Sequence, residues 1–121
     1  MKSWKPIFVE NSRIPKILSY LSPIDIRAIS LGPFVFCRRE APTSLRVHET
    51  IHFQQQLELL FIGFYLLYLF FWLAALTKLR DGADAYHEIP FEREAKYNQY
   101  ASNYLETRKR YSWAKYVRDL F

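Results

Sequence analysis

A single cysteine, Cys37, stands in 121 residues. It excludes an intramolecular disulfide, offers no C-x-x-C pair, and reads as small apolar filler for a core. Three glycines supply no glycine-rich phosphate loop, and no RNA-binding signature is present. The first ten residues, Met1 to Glu10, lack the apolar core of a cleaved signal peptide. What the chain has instead is aromatic bulk and positive charge: nine Tyr, ten Phe and a net charge of +5. Basic, aromatic-rich chains point to nucleic acid or to a membrane surface, and with no nucleic-acid motif the membrane is the expected partner.

Two further absences organise the middle of the chain. No glycine or proline interrupts the stretch from Thr43 to Ile62, and no charge occurs from Leu59 to Thr77, 19 residues. The first permits a long helix beginning near Thr43 or Ser44, either of which can cap it after Pro42. The second describes a segment apolar on every face, about 28 Å long as a straight helix, which is membrane length. A straight crossing would separate the helix before it from the acidic residues after it, Asp81, Asp84, Glu88, Glu92 and Glu94. Gly63 is the helix-weakening residue in the run, so a bend there is expected, giving a hairpin that dips into one leaflet and returns near Lys78. Both flanks are basic: eight Lys/Arg against three Asp/Glu in residues 1–46, and nine against seven in 78–121. That balance places both termini on one side, the cytoplasmic face of an inner or plasma membrane.

The long helix carries His48-Glu49-Thr50-Ile51-His52, the pattern H-E-x-x-H. Histidines four apart leave one helix face together and can bind one metal ion. Zinc suits two neutral imidazoles and takes a carboxylate and a water as further ligands. Glu49, next to the first histidine, is placed to take a proton from such a water. Gln55 and Gln56 extend the polar stripe and are candidates to orient the ligands. Around this centre, Pro6 to Val9 reads as extended and Ile14 to Leu21 as amphipathic turns ended by Ser22-Pro23. Gly32-Pro33 splits two β-prone runs, Ala28 to Leu31 and Phe34 to Cys37. Lys78 to Ile89 reads as a loop with a turn at Asp81-Gly82, in which His87 is a candidate hydrogen-bond donor to a developing oxyanion. Pro90 opens a helix continuing to about Leu105, with Phe91, Ala95, Ser102 and Leu105 on one face and Glu94 nearer its centre than Glu92. The tail, Arg108-Lys109-Arg110 with Tyr111, Trp113, Tyr116 and Phe121, suits lipid headgroups and interfacial rings.

His48-Glu49-Thr50-Ile51-His52, an apolar insert, and a helix bearing Glu92-Arg93-Glu94-Ala95 together resemble the gluzincin zinc metallopeptidases. The likeness is greatest to the membrane CAAX-processing and heat-shock types. It also extends to small H-E-x-x-H membrane proteins with two glutamines after the second histidine. The resemblance implies zinc on His48, His52 and Glu92, the acid three residues before an alanine, with Glu49 as general base. Periodicity favours Glu94 and the resemblance favours Glu92, which is the ligand expected. The chain departs from the pattern at Lys96, where those enzymes carry an aspartate, and they have several true spans.

The expected protein is a single, mainly α domain over 1–121, in three segments. Residues 1–43 hold a short β-hairpin, 44–78 an H-E-x-x-H helix continuing into a membrane-embedded hairpin, and 79–121 a C-terminal helix with the third ligand. The expected function is a zinc metallopeptidase acting on a peptide or protein near the bilayer. The alternative is a non-catalytic subunit of a larger membrane complex, with zinc as a structural staple.

Overall fold

The computed structural model describes residues 5–21, 28–101 and 103–121. Among them are seven α-helices, one 3-10 helix and a three-stranded sheet. The strands β1 (Ile7–Val9), β2 (Ala28–Leu31) and β3 (Phe34–Cys37) lie in the order β1-β3-β2. β2 and β3 form the antiparallel hairpin that Gly32-Pro33 predicts, with Leu31 opposite Phe34 and Gly32 at φ +60. β1 joins parallel to β3, and α1 (Ile14–Leu21) follows it. Ser22, Pro23 and Ser102 lie outside the described residues.

The metal-motif helix, α2, runs Thr43–Glu58 and is capped by neither the Thr43 nor the Ser44 side chain; Pro42 occupies the cap in an extended conformation. Nor does α2 continue into the apolar run. Leu60 adopts a left-handed φ of 57, and the Phe61 N–H donates to the Gln56 carbonyl at 2.7 Å, the six-to-one bond of a Schellman stop. Phe61 (φ 61, ψ −61) then forms a γ-turn closed by Ile62 N–H to Leu60 C=O at 2.6 Å. The bend therefore falls at Leu60-Phe61 and not at Gly63. Gly63 sits inside the next helix, where a Cβ would come within 3.3 Å of the Leu59 Cβ, so its missing side chain makes room for Leu59.

Helix α3, Ile62–Leu79, is one unbroken 18-residue element, long and apolar enough to cross a membrane. After the turn it packs back on α2, with the Phe64 and His52 rings 6.1 Å apart and the Tyr65 hydroxyl donating to Gln56 Oε1 at 2.8 Å. Phe64, Phe71 and Ala75 face inward, where they meet α4 (Gly82–Glu88), α5 (Pro90–Asn98), the 3-10 helix Ser112–Tyr116 and α7 (Val117–Leu120). The expected loop between Lys78 and Ile89 is thus mostly helix. Asp81 nucleates it by accepting from the Ala83 and Asp84 N–H groups at 3.0 Å. The C-terminal helix stops at Asn98, short of Leu105, where the Asn98 amide donates to the Glu94 carbonyl at 2.8 Å. A separate turn, α6 (Tyr104–Thr107), folds Tyr104 and Leu105 onto Val47, Ile51 and Ala95.

Charge inside the molecule holds these helices in register. Arg108 is 5% exposed and belongs to the interior rather than to lipid headgroups. Its guanidinium grips Glu58 at the end of α2 with two bonds of 2.8 and 3.0 Å, and Glu94 of α5 with two of 2.6 and 3.0 Å. Trp113, read from sequence as an interfacial ring, is likewise buried, 4.9 Å from the Phe91 ring. Replacing Arg108 with Met should lower unfolding stability by about 3–5 kcal/mol, because two buried carboxylates lose their shared cation. A urea unfolding curve that the substitution does not shift would show that the network contributes nothing.

Candidate metal centre

His48 and His52 reach the site from α2, and Glu92 reaches it from the first turn of α5; Glu49, buried on α2, lies close enough for its charge to act on that of His52, His48 and Glu92. The structure brings His48, His52 and Glu92 together, with one ligand atom from each lying within 4.8 Å of the others. The His48 Nε2 is 3.1 Å from Glu92 Oε1, the His52 Nε2 is 3.0 Å from Glu92 Oε2, and the two Nε2 atoms are 3.2 Å apart. Donors held tetrahedrally at about 2.0–2.1 Å from zinc stand roughly 3.3–3.4 Å from one another, so the set needs little movement to accept such an ion. All three side chains are nearly enclosed, at 14%, 5% and 7% exposure.

Their orientation is fixed from behind. The His48 Nδ1–H donates to Gln99 Oε1 at 2.7 Å and the His52 Nδ1–H to Gln55 Oε1 at 2.8 Å. The Gln55 amide cannot be reversed without loss, since its Nε2 donates to the Phe91 carbonyl at 3.1 Å and to Glu94 Oε1 at 3.0 Å. With both Nδ1 atoms engaged, both Nε2 atoms are directed at the ion position. Gln56 touches no side chain of the cluster: its amide donates to Ser30 Oγ at 2.6 Å and to the His52 backbone carbonyl at 3.3 Å, and ties α2 to β2. Tyr68 on α3 donates to Glu92 Oε2 at 2.8 Å, and the Tyr86 hydroxyl on α4 hydrogen-bonds the same carboxylate.

Glu94 is not in the cluster. It is fully buried against Arg108, Gln55 and the Tyr104 hydroxyl, which donates to it at 2.7 Å. His87 is exposed on α4, and its ring packs against Tyr86 instead of reaching the site. Tyr68, Gln99, Arg108 and Tyr104 were not legible as site or support residues. Tyr68 did leave a trace, because a phenol within an apolar run needs a partner for its hydroxyl. Gln99 and Arg108 act across 51 and 50 residues of sequence, which no local pattern records.

Electrostatics divide the two acids. For Glu92, burial works against ionisation, but the charge of His52 and the hydrogen bonds from both histidines hold its carboxyl well below the usual range. For Glu49, burial dominates and raises the carboxyl, against the charges of His52 and His48 and with that of Glu92. A carboxylate lifted in this way is a better proton acceptor near neutral pH. For His52, burial alone would lower the pKa; the charge and hydrogen bond of Glu92, with help from Glu49 and Gln55, raise it to about 9.

No family model matches the chain, and none of the curated proteins or solved structures compared with it matches either.

In the metal-free protein the His52 proton stabilises the fold fully below its ordinary pKa of 6.5, and that contribution is lost as the pH rises through about 9. A metal ion on Nε2 competes for the same position, so uptake at neutral pH should release about one proton from His52, and apparent affinity should climb as the solution is made more alkaline. Titration calorimetry in buffers of different ionisation enthalpy measures this, and uptake without proton release would show that Glu92 does not hold a proton on His52. Gln55→Leu and Gln99→Leu should each weaken metal binding roughly 10- to 100-fold, read by competition with a chelator.

Proposed function

We propose that the protein is a membrane-associated zinc metallopeptidase that hydrolyses a peptide bond near the bilayer surface. The observation carrying this reading is the convergence of the His48, His52 and Glu92 donors at near-tetrahedral spacing, with Glu49 one residue beyond the first of them. When bound, zinc supplies Lewis-acid polarisation of a water and of the substrate carbonyl. Glu49 takes the proton from the attacking water and delivers it to the departing amine. Gln55 and Gln99 hold the imidazoles in the ligating tautomer, and Tyr68 holds the Glu92 carboxylate. Helix α3 supports membrane association by its length and apolarity, and the two basic flanks favour the cytoplasmic face of an inner or plasma membrane.

A second reading is favoured by the near-complete enclosure of the ligands. In it the zinc is structural and the protein is a non-catalytic subunit of a membrane complex.

One substitution separates the two. Glu49→Gln should leave zinc content at about one ion per chain by elemental analysis, while peptide hydrolysis falls by about 10²–10⁴-fold. Retained zinc with unchanged function in cells would favour the structural reading, and loss of zinc only in His48→Ala, His52→Ala and Glu92→Gln would still define the ligands.

A further inference from the structure

The sequence presents residues 59–77 as apolar on all sides, but the structure divides α3 into two unlike faces. Phe64, Phe71 and Ala75 are 4%, 5% and 0% exposed, whereas Ile62, Leu66, Leu69, Phe70 and Leu73 are 73%, 65%, 54%, 53% and 47% exposed. The outward residues recur at helical spacing and form one stripe, extended at the turn by Leu60, which is 82% exposed. A continuous ridge of large apolar side chains marks a surface that water does not cover in the working protein.

The inward face is occupied from the first turn to the last. Phe64 lies 4.7 Å from the Phe91 ring, the Trp72 Nε1–H donates to the Gly82 carbonyl at 3.1 Å, and Lys78 Nζ donates to the Leu120 carbonyl at 3.2 Å. α4, α5, the 3-10 helix and α7 therefore accompany α3 along its length. They carry exposed Asp84, Lys96, Lys115, Arg118 and Asp119. If α3 stood across a bilayer, those charges and the ends of several short helices would be drawn into hydrocarbon, where neither is tolerated.

We propose that α3 lies in the plane of the membrane, with the ridge of Leu60, Ile62, Leu66, Leu69, Phe70 and Leu73 sunk into one leaflet and the rest of the fold above it. The inference rests on the membrane association proposed above and specifies its geometry. The polar groups of α3 favour lipid over a second protein as the occupant. The Tyr65 hydroxyl is engaged with Gly32, Ser30 and Gln56, the Tyr68 hydroxyl with Glu92 and the Trp72 indole with Gly82, all on the protein side. A protein interface draws on hydrogen bonds at about one per 100–200 Å² to set its register, whereas an acyl-chain layer asks for none. On α3, the turn after it and the elements packed on it, exposed Lys78, Arg80, Lys96, Lys115 and Arg118 stand against exposed Asp81, Asp84 and Asp119, so the local positive excess is small. The net charge of +5 acts only as a longer-range attraction to anionic lipid.

The test uses the full chain, purified and added to preformed sealed vesicles of phosphatidylcholine, with or without phosphatidylglycerol. Flotation should recover it with both, more strongly with phosphatidylglycerol at low salt. The Leu66→Gln/Leu69→Gln variant should lose most of that binding while keeping its zinc, which separates a lost surface from a lost fold. Lys109→Cys, near the α2 end of the turn, and Arg80→Cys, at the far end of α3, are then compared in a Cys37→Ser background. Both should react with an impermeant thiol reagent added outside. Flotation with one of the two protected inside would overturn the in-plane arrangement and leave membrane association standing. No flotation with either lipid would overturn both, and a dimer found by light scattering in that case would assign the ridge to a second copy.

Discussion

Helix α5 carries two carboxylates, Glu92 and Glu94, that are both inside the protein at 6% and 0% exposure. They sit about 200° apart around the helix axis, so no single neighbour can serve them both. A carboxylate taken out of water without a cation or several donors is among the most expensive things a fold can contain. On one side, Glu92 is met by His48, His52, Tyr68 and Tyr86, which come from α2, α3 and α4. On the other, Glu94 is met by Gln55 of α2 and by Arg108 and Tyr104 from the chain beyond α5. Satisfying both at once fixes α2, α3, α5 and α6 relative to one another. The geometry of the candidate centre is thus inherited from a requirement of folding. Gln55 joins the two sides, since a single amide accepts from His52 and donates to Glu94.

What the sequence made legible were features whose cause is local. The helix face of His48 and His52, the β2–β3 hairpin around Gly32-Pro33 and the helix start at Pro90 all follow from spacing or from residues with fixed backbone habits. What stayed hidden had non-local causes or used unsignalled residues. Helix α2 ends on a left-handed leucine, a position where a glycine or asparagine would have announced the stop. Gly63 attracts the expected bend by its conformational freedom, but its use in the fold is the absence of volume beside Leu59. Asp81-Gly82 looked like a turn and is the start of a helix, because the Asp81 side chain caps it. Arg108 and Trp113, set in a basic and aromatic tail, gave no local sign of being interior residues.

The same contrast governs the apolar run. Its composition is nearly uniform around the helix, so hydropathy alone reports membrane length and says nothing of direction. Tertiary packing creates the asymmetry by covering Phe64, Phe71 and Ala75 with α5 and the C-terminal turns. Phe64 also touches His52, so the inner face of this helix forms one wall of the candidate centre.

Both histidines are backed by neutral amide carbonyls, Gln99 for His48 and Gln55 for His52, where a carboxylate would push electron density through the ring toward the ion. The one anionic ligand, Glu92, is itself drawn on by the Tyr68 phenol. A dication held by this set would keep a formal charge of about +1, with weakly donating ligands. Such an ion would be electron-poor: avid for a carbonyl oxygen and inclined to acidify a bound water, but also more readily surrendered to a chelator than one backed by two carboxylates. The amide pair would therefore set a metal held here toward electrophilicity at the expense of retention.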